Sequence, residues 1–132
     1  MGCDIHLYIE KKGVNGWEEL PIAEELIPDE RDYEVFSFLA GVRGNNGEHF
    51  ADRGIPEDSS IPTGDDDFWL GDHSYTYAYL DEILSAPWEE AGLQWRYFPI
   101  FCEYVLPRLD TRFGWYGDEE KRDIRILMGF DS

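Results

Sequence analysis

The sequence predicts an α+β fold in which a small, mostly antiparallel sheet carries helices on one face. The first segment of the chain alternates apolar and polar residues and then turns back, the last segment alternates again, and helical spacings lie between them. Chains divide into several domains only well above 132 residues. We therefore expect one domain over residues 1–132, with about three helices and a long ordered loop.

Two segments are predicted to supply the sheet. Residues 3–10 alternate strictly, the Asn15-Gly16 pair is typical of a hairpin turn, and residues 17–20 then return as a second strand. Residues 123–130 alternate in the same way, so we expect a closing strand there. Both segments place most of their apolar side chains on one side, with Leu127 on the other side of the closing strand, which is the pattern of a sheet with one face on the core.

Three segments have the apolar spacing of helices: residues 33–40, 76–85 and 98–109. Asp32 is a suitable N-cap for the first helix and Gly41 a suitable residue to end it. Thr76 is the expected cap of the second helix.

No periodicity survives between Gly41 and Ser74, a stretch dense in glycine, proline and aspartate. Loops of this length in compact domains are usually functional or disordered. Four apolar residues favour an ordered loop, because a disordered linker lacks such anchors: Phe50, Ile55, Phe68 and Trp69. We expect these side chains to pack on the domain.

The charge balance excludes some classes of partner. Eleven basic and 29 acidic residues give a net charge of −18, which argues against direct binding to nucleic-acid phosphates or anionic membranes. No apolar stretch approaches the roughly 20 residues of a membrane span. The chain opens on Met-Gly-Cys-Asp, without a basic region or an apolar run, so we expect a cytoplasmic protein in which Cys3 and Cys102 are free thiols.

The Asp4-Ile5-His6 segment is the strongest local signal for chemistry. On a strand, Asp4 and His6 project from the same face about 7 Å apart. Carboxylate and imidazole are ligands for divalent metals such as Zn, Mn or Mg, and the pair also suits acid–base catalysis. A hydrogen-bonded surface pair without function is the competing interpretation.

A second Asp/His cluster, Asp72-His73, lies at the end of the long loop. If loop and strand meet, Asp4, His6, Asp72 and His73 form a metal site, with His49 or Glu48 in reserve and with Asp4, His6 and His73 as catalytic groups. An enzyme with this site would be a metal-dependent phosphodiesterase-type hydrolase. The alternative is that Asp72-His73-Ser74 only caps a turn.

Arg43 and Arg53 lie in the same loop. Arginine suits bidentate contacts to phosphate, and Tyr75 is placed to stack on a base, so these three residues are candidates for binding a phosphorylated, nucleotide-like ligand. The arginines would otherwise tie the loop to neighbouring carboxylates, and the tyrosine would belong to the core.

Acidic runs are spread along the whole chain. They are usually solvated faces, but together they can imitate a phosphate backbone and attract a basic protein. An acidic DNA mimic that inhibits a basic host protein is therefore a second hypothesis for the function.

Four stretches of the chain resemble a family of small uncharacterised proteins encoded by bacteriophages and prophages: the opening Met-Gly-Cys-Asp-Ile-His-Leu-Tyr-Ile-Glu, residues 33–44, residues 53–58, and residues 72–75 with Leu80 and Glu82. The resemblance implies a viral accessory protein in the bacterial cytoplasm and assigns no catalytic role. Small accessory phage proteins often counter host defence by sequestering or cleaving nucleotide signals, or by blocking a nuclease.

Overall fold

The computed structural model describes residues 2–28, 30–42, 49–61, 69–106 and 120–131. Within these ranges the sheet has four strands: β1 (Asp4–Gly13), β2 (Gly16–Glu19), β3 (His73–Tyr79) and β4 (Ile124–Asp131). Their order is β2-β1-β4-β3, and every neighbouring pair is antiparallel. The first and last strands of the chain therefore lie side by side in the middle of the sheet.

The helices of the described ranges are α1 (Tyr33–Ala40), α2 (Leu80–Ser85) and α3 (Tyr97–Ile100), which continues as a π-helical turn over Phe101–Val105. Two 3₁₀ turns occupy Glu24–Leu26 and Glu120–Asp123. The predicted α+β fold is confirmed. Residues 107–109, at the end of the third predicted helix, lie outside the described residues. Across the described ranges, no helix combines the length and the apolar character that a membrane crossing requires.

The boundaries of α1 follow the prediction. The Asp32 side chain accepts a hydrogen bond from the Val35 amide (3.4 Å), which satisfies one of the free donors of the first turn. Gly41 ends the helix in the left-handed conformation, with φ of 73°.

The predicted helix over residues 76–85 was wrong in its first half. Residues 73–79 form β3, and the helix begins only at Leu80. The alternation of Tyr75, Tyr77 and Tyr79 suits a strand, and pairing with β4 overrides the local helical spacing. Thr76 is therefore a buried strand residue and not a cap.

The helix side of the sheet carries the main apolar core. Isoleucine, methionine and phenylalanine side chains of β1 and β4 pack there against α1, α2 and α3. Trp88 stacks on Phe38 with ring centroids 4.0 Å apart, and its indole N–H donates to the Ile83 carbonyl (2.7 Å). Cys3 and Cys102 are buried thiols that form no disulfide with each other, as expected, and burial raises the pKa of the Cys102 thiol.

Parts of the long loop cover the opposite side of the sheet, namely residues 58–61 and Leu70. Leu70 packs there on Tyr8 and Leu127, so the side chains of β4 are buried on both faces. Of the predicted anchors, Phe50 is buried, whereas Ile55 and Trp69 are 38% and 55% exposed. Ile55 and Trp69 are thus only partly buried anchors, and Phe68 lies outside the described residues. We call this side of the sheet the loop face.

Candidate functional site

The start of β1 and the end of β4 bring two carboxylates together on the loop face. Asp4 is directly opposite Asp131, and His6 is opposite Gly129. Like charges that face each other across strands destabilise a sheet. Each carboxylate here has its own cationic or hydrogen-bonding neighbour.

Asp131 is paired with His6. The imidazole Nε2 donates to Asp131 Oδ2, and the two side chains are 28% and 20% exposed. A carboxylate on one ring nitrogen fixes the tautomer of a histidine and leaves the other nitrogen for a ligand or a proton. Asp131 was missed by sequence reasoning, although one more step of the alternation in β4 leads to it.

Asp4 is paired with Arg31, whose Nε lies 2.7 Å from Asp4 Oδ1. The hydrogen bond from the guanidinium lowers the pKa of Asp4, and the same bond raises the pKa of Arg31. Both groups are largely exposed, so water and salt screen the pair. Arg31 precedes the helix cap and carries no sequence signal for this role.

Trp69 covers His6. The two ring centroids are 4.7 Å apart, with the planes tilted by 52°, and the outer face of the indole is in solvent. The segment that contains Leu70 passes directly over β4 here, and it can do so because position 129 is glycine. A Cβ on Gly129 would lie 1.7 Å from the Leu70 carbonyl oxygen. Gly71, at φ of 90°, continues the crossing, and the Asp72 amide donates to the Phe130 carbonyl (2.7 Å).

We call His6, Asp131, Asp4, Arg31 and Trp69 together the His6 site. It joins an imidazole, two carboxylates, one guanidinium and an exposed indole at one end of the sheet. Its members can exchange a proton at His6 and stack on a planar group at Trp69.

The second predicted cluster lies elsewhere. His73 pairs with Phe130, its ring is 6.5 Å from that of Phe130, and Phe130 belongs to the core on the helix side. His73 Nδ1 and Ser74 Oγ share a hydrogen bond (2.8 Å), and Ser74 is a β-bulge residue with φ of 60°. The structure therefore does not bring His73 onto the loop face beside His6.

The four predicted metal ligands Asp4, His6, Asp72 and His73 do not converge. Among the described residues, no group of three or more histidine, cysteine, aspartate or glutamate side chains is arranged to hold a metal ion. Of the reserve ligands, His49 packs on Phe38 with ring centroids 4.3 Å apart, and Glu48 is outside the described residues.

Of the two predicted phosphate-binding arginines, Arg53 is described, and its guanidinium is bound within the protein. Both terminal nitrogens of Arg53 bind the Glu82 carboxylate at 2.8 Å, and one also donates to the Tyr77 carbonyl (3.2 Å). Arg53 thus ties the loop to α2, which is the competing interpretation of the sequence. Arg43 lies outside the described residues. The Tyr75 hydroxyl donates to the Gly71 carbonyl, so Tyr75 supports the crossing of the loop.

A buried ion cluster on the loop face has no counterpart in the sequence predictions. Glu10 is fully buried and accepts from Arg125 Nε (2.8 Å) and from the Ser60 amide (2.6 Å). Arg125, itself 1% exposed, also donates to Asp58 (2.9 Å), and its guanidinium lies 3.9 Å from the centroid of the Trp17 ring. The cluster fastens residues 58–60 to the sheet, and we assign it a structural role.

Comparison of the chain with protein-family models, with curated proteins and with solved structures gives no match.

Proposed function

We propose that this protein acts by binding a basic partner protein through its acidic surface, in competition with a polyanion such as nucleic acid. The net charge of −18 sets up a long-range attraction for a basic surface and a repulsion for anionic ligands. The resemblance of its sequence to bacteriophage proteins makes a bacterial host protein the natural partner.

The single observation that carries this proposal is that the described arginines are already paired with carboxylates. Each arginine of the described ranges is in an ion pair with a carboxylate: Arg31 with Asp4, Arg53 with Glu82, Arg96 with Asp32 and Glu34, Arg122 with Asp81, and Arg125 with Glu10 and Asp58. An anionic ligand that used one of these arginines would have to displace a carboxylate from it. A cationic surface meets no such competition.

Many carboxylates remain for such a partner. Twelve are exposed and form no ion pair with another described residue: Glu18, Glu19, Glu24, Glu25, Glu30, Asp52, Glu57, Asp72, Glu89, Glu90, Glu103 and Asp123. Pairing carboxylates with lysines and arginines in a partner speeds association and makes it sensitive to salt.

The test is capture of the partner followed by binding of the purified components. Tagged protein is exposed to bacterial lysate, and the captured protein is then titrated at about 0.05 to 0.5 M salt, a range over which exposed charges become screened. We expect a basic partner whose affinity falls steeply with salt and which duplex DNA displaces. A partner that is neutral or acidic, or no partner at low salt, overturns the proposal.

A matched pair of variants separates specific charge from total charge. Glu18→Gln with Glu19→Gln removes two charges from β2, and Glu24→Gln with Glu25→Gln removes two from the 3₁₀ turn. If one of these surfaces touches the partner, one variant weakens binding more than the other at the same net charge. Equal and negligible effects of both would exclude both surfaces from the contact.

The His6 site supports a second candidate, which is binding or hydrolysis of a phosphorylated, nucleotide-like ligand. The observation that favours it is the combination of a carboxylate-paired histidine with a half-exposed indole that packs on it. In this function a base stacks on Trp69, and His6 acts as general base by accepting a proton from the water that attacks a phosphodiester.

This candidate is tested with AMP and a cyclic dinucleotide, each with and without Mn²⁺, Mg²⁺ or Zn²⁺. Binding of either compound is expected to change tryptophan fluorescence, and hydrolysis of a phosphodiester in the cyclic dinucleotide is expected to produce a terminal phosphate monoester and a hydroxyl group. His6→Asn is expected to abolish hydrolysis and Trp69→Ala to weaken binding, while His49→Asn serves as the control histidine. Absence of both signals with all three metals overturns the second candidate.

A further inference from the structure

The helix that begins at Tyr97 exposes aromatic side chains along its outer side. Trp95, just before the helix, is 81% exposed, and Tyr97 and Tyr104 are 36% and 52% exposed. Ile100 lies between the two tyrosines and is half-buried, whereas the inner side of the helix belongs to the core. We call Trp95, Tyr97, Ile100 and Tyr104 the aromatic ridge.

The side chains of Trp95 and Tyr104 contribute little to the stability of the fold. Neither Trp95 nor Tyr104 has a hydrogen bond, ion pair or ring contact with another described residue. Burial of an aromatic ring is what stabilises a domain, and a ring left in water makes no such contribution. Trp and Tyr in this position are, however, the residues that dominate the binding energy of protein interfaces.

Tyr97 links the ridge to a turn that carries two carboxylates. Its hydroxyl donates to the Leu26 carbonyl (2.7 Å), which holds the turn containing Glu24 and Glu25 against the helix. Glu103 is exposed on the helix itself, next to Tyr104. These three carboxylates form no ion pair with a described residue.

The cation beside the ridge is neutralised. Arg96, which lies between Trp95 and Tyr97 in the chain, binds Asp32 at 2.6 Å and Glu34 at 2.8 Å. The hydrogen bonds that Arg96 donates to these two carboxylates raise its pKa. The surface around the exposed rings therefore has an excess of negative charge.

We propose that the aromatic ridge is the anchoring part of the acidic surface and binds an arginine-rich segment of the partner protein. Guanidinium groups stack on Trp95 and Tyr104 while Glu24, Glu25 and Glu103 pair with the remaining charges. Arginine is favoured because its planar cation stacks on aromatic rings and binds carboxylates in a bidentate fashion. This inference rests on the proposed function and assigns it a contact surface.

A second copy of the chain fits the ridge less well. Two molecules that each carry a net charge of −18 repel one another, and the ridge offers no cation free of a carboxylate partner among its described neighbours. Charge complementarity thus selects a basic occupant.

The test uses a fluorescent peptide of alternating arginine and glycine as the probe, with the intact protein at low salt. Anisotropy measures affinity, and two-dimensional NMR of the indole N–H groups identifies which tryptophan is contacted. We expect the Trp95 signal to shift and the Trp69 signal to stay. Trp95→Ala with Tyr104→Ala is expected to weaken binding about 30-fold, as for an interface hot spot, and to leave the melting temperature unchanged.

Val14→Ala is the control, because Val14 is fully exposed at the hairpin and distant in sequence from the ridge. Full affinity in the double variant, or a shift at Trp69 in place of Trp95, overturns the ridge as the anchor and leaves the proposed function standing. Failure of the peptide to bind at low salt also overturns the ridge proposal. The proposed function is tested separately, by the capture of a partner from lysate. A dimer in light scattering that the double variant dissociates would show that a second copy is the occupant and overturn the proposal.

Discussion

The two faces of the sheet are built from the same strands and are stabilised in different ways. On the helix side, apolar side chains and stacked rings such as Trp88 on Phe38 fill the space. On the loop face, the loop is held to the sheet by directional contacts. The Ser60 amide and the Arg125 guanidinium donate to Glu10, and the Leu70 backbone packs against Gly129. Apolar packing tolerates substitutions of similar volume, whereas a hydrogen-bonded ion cluster depends on each of its atoms.

The sharpest way to test the comparison is to remove one tryptophan from each side. Trp88→Ala leaves a cavity beside Phe38 and is expected to lower the free energy of unfolding by about 3–5 kcal/mol. Trp69→Ala is expected to lower it by less than about 1 kcal/mol, because more than half of that indole is already in water. Urea denaturation measures both, and equal effects would show that the loop face is packed like the core.

An effect of the same size is expected at the buried ion cluster. Glu10→Ala leaves Arg125 without its buried counter-charge and is expected to destabilise the protein by about 3–5 kcal/mol. The double change Glu10→Leu with Arg125→Met removes both charges and is expected to be less harmful than the sum of the single changes.

Asp81→Asn is the control for the ion cluster, because the Arg122–Asp81 pair is at the surface and contributes under about 1 kcal/mol. Strict additivity of Glu10→Leu and Arg125→Met would contradict the interpretation that the two charges act as a unit. Chemical denaturation of the wild type, the single variants and the double variant supplies the measurement.

Gly129→Ala is expected to have a smaller but local effect. The new methyl group collides with the Leu70 carbonyl oxygen, and such overpacking costs about 1–3 kcal/mol. Hydrogen exchange of the Asp72 amide should speed up, because its bond to Phe130 depends on the crossing. The Gly41 amide, bound to Ser37 at the end of α1, is the internal control and should keep its protection.

The smallest expected effect is a dependence on pH. The hydrogen bond from Arg53 lowers the pKa of Glu82 below its value in the unfolded chain. The pair therefore adds stability above the unfolded-state pKa of about 4.3, and that stability is lost as the pH falls through the lower folded-state pKa.

Glu82→Gln is thus expected to cost under about 1 kcal/mol at neutral pH, since both side chains are partly exposed and screened. Unfolding curves at neutral and strongly acidic pH should converge for the two proteins in acid. A difference that grows as the pH falls would contradict the direction of the shift.

Local patterns were predicted well because they depend on neighbours in sequence. The alternation of residues 3–10 and the cap of Asp32 on α1 are confirmed by β1 and by the Val35 amide bond. The same reasoning misplaced the start of α2, because pairing with β4 decides the conformation of residues 76–79. Trp69 was misjudged since apolarity predicts burial only on average.

The sequence by itself determined which side chains share a face of the sheet, where α1 begins and ends, and that the protein is strongly acidic. Only the tertiary structure decided the partners on those faces: His6 meets Asp131 across 125 positions, Asp4 meets Arg31 across 27, and Arg125 meets Glu10 across 115. The physical reason is that faces and caps follow from backbone geometry over a few residues. The pairing of one charge among 29 acids and 11 bases depends on strand register and loop path, which are set by the packing of the whole chain.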